Sequence, residues 1–188
     1  MDYYTYIYKP HNIVLWFPTP LFAAYLLSGI LYNWMSRVRS YKFLVVVGIA
    51  CTNIFLFLLF LLSIIFKDNP DTGFALSLIT CFFIGYAANT AQLTFFAMIN
   101  YLGGVVVSRF TIGTAISGLM LVVMRMVIVA FMGSDESNTL PIWIYMSLAI
   151  LFNFFNMGLN IKFFVSSEYK QKVEANLPQL KKKEGESR

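Results

Sequence analysis

The chain has 188 residues, 59% of them hydrophobic, 18% aromatic and only 12% charged, about half the charged share of a soluble domain. That composition excludes an ordinary water-soluble globule and points to an all-α, polytopic membrane protein. The net charge of +5 is no signal for nucleic acid, because the basic residues lie in short loops and a tail, where retention of Lys and Arg on the cytoplasmic side accounts for them.

Residues 1–12 form a short segment ahead of the first apolar run. They have neither the basic start, apolar centre and small-residue cleavage site of a secretory signal nor the Arg-rich pattern of a transit peptide. Five runs of about 20 apolar residues or more follow, roughly 13–35, 43–66, 74–100, 111–132 and 140–165. They predict a five-helix transmembrane bundle over 13–165. The linkers "SRVRSYK", "KDNPDTG", "YLGGVVVSR" and "GSDESNT" are short and consist mostly of turn formers or charges, so neighbouring helices are expected to run antiparallel. "GG" at 103 and 104 reads as a loop hinge.

In the first run, Pro18 and Pro20 either bend the helix near its outer end or mark a helix that begins only at Pro20. Cys51 and Cys81 sit within apolar runs and are expected to act as small buried hydrophobes. Residues 166–188 form a polar, basic tail expected to be solvated.

Loop charge sets the expected orientation. Arg37, Arg39, Lys42, Arg109, Lys162, Lys170, Lys172 and the lysines at 181–183 fall on one side, while Lys67 stands against Asp68, Asp71, Asp135 and Glu136 on the other. This places the N-terminus outside and the C-terminus on the cytoplasmic or equivalent side. An odd number of helices with that orientation and no cleaved signal points to a missing preceding helix.

Three stripes of small or polar residues recur at helical spacing. Gly85, Asn89, Gln92 and Phe96 lie on the third run, Thr111, Thr114, Gly118 and Arg125 on the fourth, and Asn153, Asn156 and Asn160 on the fifth. Such residues either glue helices together, at about 0.6 kcal/mol per interhelical bond, or line a cavity. No carboxylate lies well inside any run, and the only histidine, His11, sits beside the outer end of the first. No nucleophile, base and orienting group can therefore be assembled at depth, and neither catalysis, a metal site nor a cofactor is expected.

Arg125 is the one charge well inside a run, where a guanidinium at a helix centre costs about 2.5–3.5 kcal/mol. It stands seven residues before Met132, about 10 Å from the helix end. It can snorkel toward Asp135 and Glu136, face a hydrated cavity, or meet a carboxylate from another chain.

The order of these features resembles the equilibrative nucleoside transporter family, from its second to its sixth membrane helix. Where that family has a helix pair like "QGSLFGLAG" and "SGQGLAG", this chain has "AQLTFFAMINYLGGVVVSRFTIGTAISG". Gln92, Thr94, Phe96, Gly113 and Gly118 match or nearly match. The stretch "YLLSGILYNWMSRVRSYKF" looks like the family's second helix and its basic turn. Leu93, Ala97, Asn100 and Ala115 stand where the family has glycine, and Gly103 where it has proline.

The resemblance implies a partial major-facilitator-like helical bundle, with Gln92 on a nucleoside path and Gly113 and Gly118 allowing tight packing. The family's second bundle, with the charges that hold ribose, has no counterpart in these residues. The expected function is therefore a non-transporting structural or accessory subunit of a larger membrane complex, in contact with membrane lipids and other membrane subunits. The alternative is part of a nucleoside transporter that needs a complementary bundle.

Overall fold

The computed structural model describes residues 8, 11, 16–38, 40–100, 104–132, 140–167 and 169–174. Those residues form helices and short turns, with no strand among them. The helices are α1 (Pro18–Val38), α2 (Tyr41–Ile65), α3 (Pro70–Ile99), α4 (Gly104–Met132) and α5 (Leu140–Val165), followed by a π-helical turn (Tyr169–Glu174). Four of them, α2 to α5, are long and apolar enough to cross a membrane, where five such runs were expected. The uninterrupted apolar part of the first helix is shorter, Pro18–Tyr32.

Local chemistry explains the helix boundaries. α1 begins at Pro18, so both prolines lie in a first turn whose N–H groups would have no intrahelical partner in any case. Trp16, two residues before Pro18, is also helical and Phe17 is a turn, so the chain changes course at the prolines. Ser40 precedes α2 in an extended conformation and its carbonyl accepts the N–H of Leu44 at 3.1 Å. Between α2 and α3, Asn69 caps a helix with Pro70 at its first position and Asp71 in its first turn, where a carboxylate opposes the helix dipole favourably.

Spatial order differs from chain order. α3 lies between α1 and α2, α5 packs on α2 and meets α3 through rings such as Phe163 on Phe95, and α4 touches α5 and α3 only slightly. Large apolar side chains such as Leu26, Ile30, Ile65 and Leu151 are exposed. A soluble monomer rarely exposes apolar surface on that scale; a hydrocarbon solvent accommodates it.

Close approach on both sides of α3 is what the sequence allows. A Cβ on Gly48 of α2 would lie 2.8 Å from Ala91 Cβ and 2.9 Å from the Ala87 carbonyl oxygen of α3. A Cβ on Gly85 of α3 would lie 2.9 Å from the Leu21 carbonyl oxygen and 3.2 Å from Ala24 Cβ of α1. Two clusters close the ends of the row. One joins Tyr8, Phe17, Leu59, Phe60, Phe74, Cys81 and Met146, and the other Val45, Met98, Phe164 and Tyr169. Cys81 is buried and Cys51 half-buried, and neither is bridged.

Gly48→Ala is expected to lower the thermal unfolding midpoint, by the equivalent of about 1–3 kcal/mol, because backbone atoms of α3 must move. Gly118→Ala, with nothing within 4 Å of the added Cβ, should leave it unchanged or raise it by up to about 1 kcal/mol through helix propensity. Equal losses for both variants would show that α4 is packed as tightly as α2.

Candidate functional site

The polar residues of α3 face its neighbours. Asn89 Nδ2 donates to the Tyr25 carbonyl at 3.0 Å and to Ser28 Oγ at 2.6 Å, while Ser28 is fully buried and donates to the same carbonyl at 3.0 Å. Asn89 is thus interhelical glue, set beside the close approach of Gly85 to α1. Tyr86 adds a second link to α1, its hydroxyl donating to Met35 Sδ at 3.2 Å. Thr80, Thr90 and Thr94 are buried and return their hydroxyls to the carbonyls four residues earlier, at 2.8, 2.8 and 2.6 Å. Gln92 is exposed.

On α4, Thr111, Gly113, Thr114, Gly118 and Arg125 are all exposed. The two threonines donate to Val107 and Phe110 carbonyls of their own helix, each at 3.0 Å. A Cβ on Gly113 or Gly118 would meet nothing within 4 Å, so among the described residues neither glycine serves the tight contact that was expected. α4 is held mainly near its start, where Phe110 packs 4.9 and 4.8 Å from Phe95 and Phe96 of α3.

On α5, Asn160 is buried and donates to the Asn156 carbonyl at 2.8 Å and to Asn156 Oδ1 at 3.0 Å. Asn156 is exposed and Asn153 half-buried. Of the hydrogen bonds made by Asn89, Thr111, Thr114, Asn156 and Asn160, none joins one stripe to another. The three stripes do not converge on a common cavity through these bonds. Snorkelling of Arg125 toward Asp135 and Glu136 involves residues outside those described.

Two features escaped the sequence reading. Asn53 of α2 is buried, 6% exposed, and neither amide atom has a hydrogen-bond partner among the described residues. Phe60, seven residues on and so on the same side of α2, packs edge-on against Trp143 of α5 at 4.2 Å, which places Asn53 on the side facing α5. Its only sequence signal is a lone amide inside the run 43–66.

The other is a clasp at the start of α3. His11 Nε2 lies 2.9 Å from Asp71 Oδ1, its ring stacks on Phe74 at 4.2 Å, and the buried Tyr8 bonds through its hydroxyl to Ser77 Oγ at 3.1 Å. No group of three or more His, Cys, Asp or Glu able to hold a metal occurs among the described residues. No family model matches the chain, and neither the curated proteins nor the solved structures yield a significant match.

Asn89→Leu should destabilise α1 against α3 by about 0.6–1.7 kcal/mol, the range for interhelical bonds in membranes. Asn53→Leu should raise stability by about 1–3 kcal/mol, because it removes a desolvated amide of similar volume. Denaturant titration in micelles reads both. A loss at position 53 would show that the amide holds a polar partner.

Proposed function

We propose that the chain is a five-span integral membrane protein of equilibrative nucleoside transporter ancestry, with its N-terminus outside, that serves as a non-transporting structural or accessory subunit of a larger membrane complex. The supporting observation is α4. The other four helices pack along one another, whereas α4 is fastened near its start and turns hydroxyls, glycines and Arg125 outward. Apolar side chains are at home against lipid. Small residues that admit a close backbone are better matched to a neighbouring helix. α4 is then the helix through which the chain docks on another membrane subunit. Alternating access needs one bundle to rock against another, and these five helices amount to one row.

One observation favours a second reading. Gln92, which the resemblance puts on a nucleoside path, is exposed on the surface of α3. A complementary bundle laid over that surface would complete a nucleoside transporter.

The test places a photocrosslinker at position 118 on α4 and, for comparison, at the exposed position 54 on α2, in native membranes. Position 118 should give an adduct with a second polypeptide and position 54 with lipid alone. Alkaline carbonate should leave the protein in the membrane pellet, and the purified chain in liposomes should leave uridine uptake at the protein-free level. Uridine or adenosine uptake by the lone chain would defeat the subunit reading. Stoichiometric recovery with a large complex would defeat the transporter reading.

A further inference from the structure

Cations gather at one end of the helix row. Lys42 stands at the start of α2, Arg109 in the early turns of α4, Lys162 in the last turn of α5 and Lys170 in the π-helical turn beyond. Topological sorting alone requires only that such charges share a side. Here the Tyr169 ring holds Lys42 over its face and is followed in the chain by Lys170, while its neighbour Phe163 follows Lys162.

Tyr169 is 1% exposed although it lies beyond the last long helix. Its ring stands edge-on to Phe163 at 5.4 Å and to Phe164 at 5.3 Å, and its backbone N–H donates to Ser166 Oγ at 3.2 Å. Lys42 Nζ lies over the same ring, 4.9 Å from its centroid. Burial of this ring therefore folds the turn after α5 back onto the start of α2. It brings Lys170, the next residue, to the neighbourhood of Lys42, while Lys162 immediately precedes Phe163. The rings continue from Phe163 to Phe95 at 5.8 Å and on to Phe110 at 4.9 Å, next to Arg109.

The result is an aromatic floor with ammonium groups at its edge, Lys162 and Lys170 exposed and Lys42 half-buried. Aromatic rings favour the headgroup zone of a bilayer, and clustered lysines there attract anionic phosphate. Beside the floor, Ile161 and Val165 of α5 are 45% and 66% exposed and offer an apolar flank for acyl chains. Glu168 and Glu174 reduce the positive charge of this stretch of sequence without cancelling it, since Lys162, Lys170 and Lys172 outnumber them.

We propose that this surface binds the phosphodiester headgroup of an anionic phospholipid, with Lys42, Lys162 and Lys170 on the phosphate and the acyl chains along α5. The proposal rests on the membrane-spanning reading, which carbonate extraction tests separately, and not on the choice between subunit and transporter.

The test uses the full chain in detergent micelles with phosphatidylglycerol or phosphatidylcholine at equal mole fraction, read by native mass spectrometry and thermal unfolding. Phosphatidylglycerol should be retained at higher occupancy, should raise the unfolding midpoint more, and should lose that advantage as salt increases. Lys162→Gln and Lys170→Gln should each weaken retention about five-fold. Lys67→Gln, at the opposite end, should leave retention unchanged. Equal retention of the two lipids, or undiminished phosphatidylglycerol retention by the double variant, would overturn the proposal. So would inorganic phosphate that matches the stabilisation by phosphatidylglycerol, because the site would then be one for a free anion. Should the double variant not fold, the lipid comparison and its salt dependence on the unmodified chain decide alone.

Discussion

The row depends on the backbone of α3 coming within side-chain reach of two helices at once. Between apolar helices in hydrocarbon there is no hydrophobic drive to associate, because lipid tails solvate leucine as well as another helix does. What remains is dispersion at short range and polar bonds, and both need small residues at the contact. Gly48 against Ala87 and Ala91 supplies the approach on one side, Gly85 against Leu21 and Ala24 on the other. With Gly85 so close to α1, Asn89 one turn on can reach Ser28 and the Tyr25 carbonyl. The buried threonines of α3 follow the same economy, since a hydroxyl folded back on its own helix can face a neighbour without an unmet bond.

Much of this was legible in the residues. Most helix lengths followed from apolar runs, and the start of α3 from Pro70 and the turn formers around it, but α4 begins at Gly104, inside a stretch read as a linker with its run starting at 111. Asn89 and Asn160 were singled out at helical spacing and both are engaged, one between helices and one within its own. What spacing could not supply was partner choice. Thr114 and Gly118 repeat as regularly as Gly85 and Asn89, yet periodicity says only that residues share a face, not whether a helix covers it. Asn53 has no such signal for the converse reason: a single amide has no period, and its burial depends on packing that spacing along one helix does not show. The prolines of α1 were ambiguous because a first turn and a kink both tolerate a missing N–H, and both fall in the first turn of α1.

The two ends of the row are finished differently. At one, residues ahead of α1 clasp the start of α3 through Tyr8, His11 and the ring of Phe74. At the other, residues after α5 fold back through Tyr169 onto α2. Each clasp uses an aromatic ring with a polar edge, the side-chain type suited to a boundary that is apolar below and wet above. Segments at the margins of the fold thus hold together helices that are not neighbours in the chain.

The placement of α3 between α1 and α2 has a consequence for how the protein is made. As the ribosome delivers the chain, α1 and α2 emerge before α3, but the finished row does not pair them with each other. Both must wait, side by side and unmated, until the third helix arrives and slides between them. Gly48 and Ala24 present their smooth surfaces to a partner that has yet to be translated.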